Sequence, residues 1–175
     1  MERLSPLAEA LAADLIARQG TVAVAESSAG GLISAALLAV PGASAYFTGG
    51  AVVYTAAARA ALLGITAPDM EGLRPASEPY ALMLARRIRE THGSVWGLAE
   101  TGATGPTGNR YGDPAGHVCI AIAGPIERTL SLRTGSSSRS ENMHIFAASA
   151  LRLFGEVVAE WRASHNAAQG IARNP

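Results

Sequence analysis

The stretch that most limits the possible folds is residues 22–38, which read VAVAESSAGGLISAALL. The apolar residues 21–25 predict a short buried strand, and the apolar residues 30–38 predict a helix. Between them stand a carboxylate, two hydroxyls and a glycine pair, which is the composition of a tight turn. A buried strand that passes through such a turn into a helix is typical of an α/β protein.

The rest of the chain continues this alternation. The patterns predict further helices over residues 6–18, 56–64, 78–91 and 139–164, and further strands over residues 51–55, 94–100, 117–124 and 128–134. Strands that alternate with helices and end in an adjacent strand pair indicate a three-layer α/β/α sandwich with a mixed sheet. We expect one domain over residues 1–164 and a loose tail over residues 165–175.

Charge and composition exclude several classes of partner. The formal net charge is zero and the pI is about 6.9, which argues against duplex DNA and anionic membranes as partners. No apolar run approaches the roughly 20 residues that span a bilayer. Residues 6–18 carry acidic side chains through their apolar stretch, so they do not resemble a signal peptide. The single Cys119 cannot form an internal disulfide. We expect a cytoplasmic protein, and a homo-oligomer is compatible with its apolar strands and alanine-rich helices.

All 14 basic residues are arginine, so the chain contains no lysine. An arginine side chain does not lose its proton in proteins. This chain therefore cannot use a mechanism that needs a neutral lysine amine or a Schiff base.

Three loops, at residues 26–31, 42–50 and 101–116, follow or connect predicted strands and are rich in hydroxyls and glycines. Such loops are suited to binding a phosphate or sugar through backbone N–H groups and hydroxyls. The segment GATGPTGN lacks the lysine of a P-loop, and no Gly-x-Ser-x-Gly motif surrounds Ser27 or Ser28. Residue type favours helix capping for these two serines, with ligand contact as the alternative. The four histidines lack the spacing of a zinc site, so we expect neither a metal nor a cofactor.

Several stretches, in one order, carry a family resemblance: AESSAGG, PGASAYFTGGAVVYTAAARAALLGI, SEP, TGATGPTG and DPAGHVCIAIAG. They resemble the nicotinamide-mononucleotide deamidase family, which also occurs as the C-terminal domain of CinA proteins. The resemblance extends from Val22 to the closing helix. It implies hydrolysis of the carboxamide of nicotinamide mononucleotide, a pyridine nucleotide, to nicotinate mononucleotide and ammonia without a metal.

The resemblance also implies roles for individual residues. Ser44 takes the place of a nucleophilic serine, Tyr54 that of an assisting tyrosine, and Arg59 that of an assisting lysine. Glu26 and Ser27 are expected to face the cleft. The residues implied in substrate binding are Glu26, Ser27, Ser28, Gly30, Thr101, Gly102, Thr104, Gly105, His117 and Arg139.

The chain departs from the family pattern at several of these positions. Arg59 is a poor general base, and Asp113 and His117 replace a lysine and a threonine. Asn142 and Met143 fall where a second arginine is expected beside Arg139. Three hypotheses therefore stand: a deamidase in which His117 or Glu26 supplies the missing base, a family member that binds a nucleotide or a partner without chemistry, and a different hydrolase that uses Asp113 and His117.

Overall fold

The computed structural model describes the backbone of residues 1–171 and the side chains of residues 1–164. The helices are α1 (Ser5–Ala17), α2 (Leu32–Leu38), α3 (Ala56–Leu63), α4 (Glu78–His92) and α5 (Arg139–Ile171), and the strands are β1 (Val22–Glu26), β2 (Phe47–Val52), β3 (Trp96–Ala103), β4 (His117–Ala123) and β5 (Arg128–Arg133). Short 3₁₀ turns occur at Ala43–Ala45 and Pro68–Met70. Helix α5 continues past its expected end at residue 164, and the side chains of the predicted loose tail, 165–175, lie outside the described residues.

The five strands form one mixed sheet in the order β2-β1-β3-β4-β5. Strand β1 pairs in parallel with both β2 and β3, while β3 with β4 and β4 with β5 are antiparallel. Helices cover both faces of this sheet, which confirms the predicted α/β/α sandwich. Among the described residues, no helix is long and apolar enough to cross a bilayer.

The two faces of the sheet differ in side-chain size because successive residues of a strand point to opposite faces. One face packs against α1, α2 and α5 and carries the large residues Val22, Val24, Trp96, Leu98, Val118, Ile120 and Ile122. The other packs against α4 and carries Ala23, Ala25, Ala99, Cys119, Ala121 and Ala123. Gly97 belongs to this small-residue face, and a Cβ on it would lie 1.9 Å from the Ala85 carbonyl oxygen. Helix α4 therefore lies directly on the sheet backbone.

Strand β2 begins at Phe47, four residues before the predicted start of this strand at Ala51. The first residues of β2 were not predicted as strand because they include two glycines, and glycine is depleted in strands. Here they are required by packing: a Cβ on Gly49 would lie 2.5 Å from the His92 ring, and one on Gly50 would lie 2.6 Å from Ser34 Oγ. Because β2 ends at Val52, Tyr54 lies in the loop that follows the strand and not in the strand itself.

Candidate functional site

A cleft of about 930 Å³ lies where β1, β2 and β3 end. The carboxyl ends of parallel strands are the usual place for a ligand site in an open α/β sheet. The floor comes from these strand ends, and the walls come from α3, the segment 67–76, the first turn of α4 and the loop 109–111. The lining residues are Ser27, Val53, Tyr54, Thr55, Ala56, Arg59, Ala67, Met70, Leu73, Pro75, Ala76, Tyr80, Thr101, Gly102, Asn109, Arg110 and Tyr111.

The turn between β1 and α2 is held by two buried carboxylates. Glu26 accepts hydrogen bonds from the backbone N–H groups of Gly31 (2.9 Å), Ile33 (3.0 Å) and Ser34 (2.8 Å), and from the Ser34 hydroxyl (2.6 Å). It is fully buried, so its carboxylate caps the start of α2 and does not face the cleft. The predicted substrate contact of Glu26, and its use as the missing base, are therefore wrong.

Glu100, at the matching position of β3, holds the other half of the turn. Its Oε2 accepts the backbone N–H groups of Ser27 (3.2 Å) and Ala29 (2.7 Å). Burial raises the pKa of Glu100 to about 7; these hydrogen bonds and the Ser28 hydroxyl oppose the rise, and the Glu26 charge adds to it. Ser28 Oγ and Glu100 Oε1 are both buried, and neither meets the geometry of a hydrogen bond with any described residue.

The two serines of the turn have different environments. Ser27 is half-buried and lines the cleft, whereas Ser28 is 4% exposed and packs inside the turn. Neither serine caps α2, whose N-cap position is Gly31 at φ +99° and whose N–H groups bind Glu26. Gly30 does not line the cleft either. The capping interpretation of the serines is wrong because Glu26 reaches the same N–H groups from the end of β1.

Tyr54 and Arg59 line the same cleft as Ser27, as the resemblance implies for two assisting residues. Arg59 Nη1 lies 3.4 Å from the hydroxyl of Tyr80, and its guanidinium carbon lies 5.8 Å from the centre of the Tyr80 ring. Arg59 Nε is buried with no hydrogen-bond partner among the described residues. The Tyr54 hydroxyl accepts a hydrogen bond from Arg139 Nη2 (3.3 Å).

The cleft is basic and aromatic. Arg59 and Arg110 line it, Arg139 lies at its edge beside Tyr54, and within the described part of the chain no aspartate or glutamate lines it. Tyr54, Tyr80 and Tyr111 supply three aromatic side chains. This combination is suited to an anionic ligand that contains a flat ring.

Ser44 lies at the opposite end of the sheet from the cleft. It sits in the turn Ala43–Ala45 before β2, beside the start of β1, where Val22 N–H donates to the Tyr46 carbonyl (2.7 Å). The parallel pairing of β1 with β2 places residues before β2 at one edge and residues after it at the other. Six strand residues at about 3.3 Å each separate the two edges by about 20 Å. Within one chain, Ser44 does not meet Tyr54 and Arg59.

Strand β3 continues to Ala103, three residues past its predicted end at residue 100, so Thr101 and Gly102 lie in the strand. Both line the cleft, whereas Thr104 and Gly105, in the loop that follows, do not. The carbonyl of Thr104 accepts Asn142 Nδ2 (2.8 Å), and that of Gly105 accepts Arg139 Nη1 (2.9 Å). Asn142, which stands where the family pattern has an arginine, is fully buried and fixes this loop onto α5.

His117 and Asp113 do not form a catalytic pair. His117 Nε2 lies 2.9 Å from the Ala76 carbonyl oxygen, and since a carbonyl only accepts, Nε2 carries the proton. The same nitrogen is the one nearest Asp113 (3.7 Å) and Cys119 (3.5 Å), so no free basic nitrogen faces either group. The Cys119 thiol is 1% exposed, and burial raises its pKa. The hypothesis of a hydrolase based on Asp113 and His117 is contradicted, as is His117 as a substrate contact or base.

Three residues that line the cleft were not predicted from the sequence. Tyr80 lies in the first turn of α4, and Arg110 and Tyr111 lie in an irregular loop without a motif. The clustering of an arginine and a tyrosine in a glycine-rich loop was the one available signal for the loop residues. In the described residues, no group of three or more histidine, cysteine, aspartate or glutamate side chains is arranged to hold a metal ion.

The CinA C-terminal domain family matches residues 4–158 of the chain. A CinA-like protein of Gloeobacter violaceus is 40% identical over 159 residues, which make up 90% of this chain and 37% of that protein. A CinA-like protein of Chlorobium limicola is 38% identical over 137 residues, which make up 75% of this chain and 32% of that protein. The chain thus spans about a third of the length of these curated relatives.

Solved structures of similar proteins match almost end to end. A competence-damaged protein (CinA) superfamily protein from Klebsiella pneumoniae superposes with a TM-score of 0.84 at 27% identity, covering 90% of this chain and 99% of that one. The competence/damage inducible protein CihA from Agrobacterium tumefaciens superposes with a TM-score of 0.77 at 29% identity, covering 86% of this chain and 93% of that one.

Proposed function

Since the chain belongs to the CinA C-terminal domain family, we propose that it is an amidohydrolase that acts on nicotinamide mononucleotide or a related pyridine nucleotide amide. The products are the nucleotide carboxylate and ammonia. The observation that carries the proposal is the Ser27 hydroxyl at the floor of a cleft that holds two arginines and three tyrosines. The reaction belongs in the cytoplasm, where pyridine nucleotides are available and a lone thiol such as Cys119 stays reduced.

Ser27 is the nucleophile in this proposal. Its hydroxyl lies in the cleft, its backbone N–H is held by Glu100, and it accepts and donates no side-chain hydrogen bond within the described residues. Ser27 Oγ attacks the carboxamide carbon, the carbon–nitrogen bond breaks as a proton passes to the nitrogen, and ammonia leaves. Water then hydrolyses the ester and restores the serine.

Because the chain contains no lysine, other residues must transfer the proton of Ser27 and stabilise the oxyanion. Arg59 keeps its proton, so its part is electrostatic: its guanidinium stabilises the negative charge that develops on the carboxamide oxygen. Tyr54 relays the proton of Ser27, because its hydroxyl lines the cleft and accepts from Arg139 while keeping its own proton to donate.

The remaining charged and aromatic groups bind the nucleotide. Arg110 lines the cleft from the loop 109–111 and serves the phosphate, for which a guanidinium offers paired donors. Tyr80 and Tyr111 offer ring faces for the pyridine.

One observation favours a second function, the binding of a nucleotide without chemistry. Arg59 already contacts the hydroxyl and the ring of Tyr80. A guanidinium held in this way can bind an anionic group of the ligand as well as it can stabilise the oxyanion of a reaction. Binding alone requires no bond to break.

The experiment that separates the two functions is the incubation of the purified protein with nicotinamide mononucleotide. Ammonia is measured by a coupled assay, and the nucleotide carboxylate is identified by mass. We expect both products in equal amounts and in proportion to the enzyme concentration. Calorimetric binding of the nucleotide with neither product would establish the binding protein instead.

A further inference from the structure

Ala76 lies in the wall of the cleft in a backbone conformation that favours glycine. Its φ is +55°, and apart from Gln19 it is the one non-glycine residue with positive φ in the described chain. A side chain in this region is strained, so the surrounding contacts must hold it there. Ala76 lines the cleft beside Pro75 and is 3% exposed.

Three side chains donate to the Ala76 carbonyl oxygen. They are His117 Nε2 at 2.9 Å, Arg74 Nη2 at 3.4 Å and Cys119 Sγ at 3.4 Å. His117 and Cys119 lie on β4, so these bonds fix the segment that contains Ala76 to the sheet.

Asp113 connects the same segment to a second wall of the cleft, the loop 109–111. It accepts Arg74 Nη1 at 2.5 Å and Nη2 at 3.2 Å, and it accepts Asn109 Nδ2 at 2.8 Å. Asn109 Oδ1 in turn accepts the backbone N–H groups of Tyr111 (2.9 Å) and Asp113 (3.1 Å). The Asp113 side chain is 10% exposed and that of Arg74 is 44% exposed, so the carboxylate is shielded from water while the guanidinium is not.

We propose that Arg74, Asp113 and His117 are positioning residues that join the two walls of the cleft, one wall at Leu73–Ala76 and the other at Asn109–Tyr111. Asp113 and His117 are two positions at which the chain departs from the family pattern, and their common function is to fix where Ala76 and Tyr111 stand. The inference deepens the proposed function and rests on it wherever turnover is the readout. A readout of wall mobility makes it testable without turnover.

The first test is hydrogen exchange in the free protein. Asp113→Asn, Arg74→Gln and the double variant are compared with the parent over peptides that cover residues 66–76 and 105–113. We expect about tenfold faster exchange in both segments, with the double variant slower than the product of the two single effects, because both single variants break the Arg74–Asp113 ion pair. The remote pair Arg86–Glu127 is a matched control, since it is also bidentate, at 2.7 and 2.5 Å, and lies outside the cleft. Glu127→Gln leaves both segments unchanged. Unchanged exchange in the Asp113 and Arg74 variants, or faster exchange throughout the chain, would overturn the proposal.

The second test uses turnover of nicotinamide mononucleotide. Walls that are no longer fixed lower affinity for the ground state and the transition state alike, so we expect KM to rise about tenfold in Asp113→Asn with kcat within twofold. A fall in kcat at constant KM would contradict the positioning role. If the parent protein releases no ammonia, the proposed function fails, while the exchange experiment still decides the inference about the walls.

A third test addresses His117 separately. We expect His117→Ala to raise exchange over residues 66–76, because Ala76 loses its shortest anchor. Ala76→Gly in the same chain removes the strain at φ +55°, so exchange should fall back at least threefold toward the parent. No recovery with glycine would overturn the role given to His117.

Discussion

Glu100 Oε2 accepts the backbone N–H of Ser27 over 3.2 Å, so a fully buried carboxyl group lies beneath a residue that lines the cleft. The same oxygen accepts the Ala29 N–H, and Glu26 fixes the end of the turn at Gly31. The position of Ser27 is therefore set by hydrogen bonds to carboxyl groups in the interior of the protein.

The stability of the fold depends on pH through Glu100. Its pKa is about 7 in the folded protein against an ordinary value of 4.5, so between these values the folded state holds a proton that the unfolded state has lost. Stability from this group is fully present below about pH 4.5 and falls as the pH rises to about 7, by about 3 kcal/mol. In Glu100→Gln this fall disappears. Urea denaturation at pH 4.5, 6 and 8 measures it.

Glu127 is the control for that measurement, because Arg86 lowers the pKa of Glu127. Its contribution has the opposite sign: it is present above the ordinary carboxyl value and is lost as the pH falls below it. Glu127→Gln should leave the slope between pH 4.5 and 7 as in the parent. Equal slopes in Glu100→Gln and the parent would show that Glu100 does not titrate in this range.

Ser27→Ala should abolish ammonia release from nicotinamide mononucleotide, with turnover falling about a thousandfold or more, since the substitution removes the attacking oxygen. Ser44→Ala removes an exposed hydroxyl about 20 Å away and should retain kcat within twofold. Both variants keep the fold, and circular dichroism checks this. The reverse result, activity in Ser27→Ala and none in Ser44→Ala, would show that Ser44 is the nucleophile, as the family resemblance implied.

Arg59→Lys should raise kcat about tenfold or more above pH 8, because a lysine amine in the cleft can lose its proton and act as a base. Arg59→Gln should lower kcat, since it removes the positive charge without supplying a base. The pH profiles of kcat for the two variants and the parent make the comparison. Similar rates in the lysine and glutamine variants would argue that position 59 does not take part in proton transfer.

Gly97→Ala should destabilise the fold by about 3 kcal/mol or more, because the new Cβ would lie 1.9 Å from the Ala85 carbonyl oxygen and would force α4 off the sheet. Gly155 in α5 is the matched control, since a Cβ there meets nothing within 4 Å. Gly155→Ala should stabilise by about 0.5–1 kcal/mol through helix propensity. Urea denaturation measures the free energy of unfolding of both variants. A loss of less than about 1 kcal/mol in Gly97→Ala would mean that α4 can move away from the sheet at little cost.

Local signals predicted the parts of the fold that depend on neighbouring residues. Helix α4 begins at Glu78 as predicted, where Ser77 accepts the Tyr80 N–H, and it ends at His92, one residue past the predicted end. The strand pair β4 and β5 follows from two apolar runs with a short turn between them. These features need no knowledge of distant contacts.

The site was harder to predict because it depends on strand direction and side-chain parity. Glu26 shares its face with Val22 and Val24, so its carboxylate points toward α2 and away from the cleft. Ser44 precedes a strand that runs parallel to β1, so it lies at the other edge. The first fact depends on which face of β1 packs against α2, and the second depends on the parallel pairing of β1 with β2; a local sequence pattern gives neither.

The floor of the cleft stands on strand ends fixed by buried carboxylates, while its walls stand on connecting segments fixed to each other by side chains. These two parts can therefore change separately during evolution. A substitution at Arg74, Asp113 or Tyr111 would alter the walls of the cleft and leave its floor at Ser27 and Thr101 in place. Related proteins could in this way differ in the ligand that fits the walls while they share one floor.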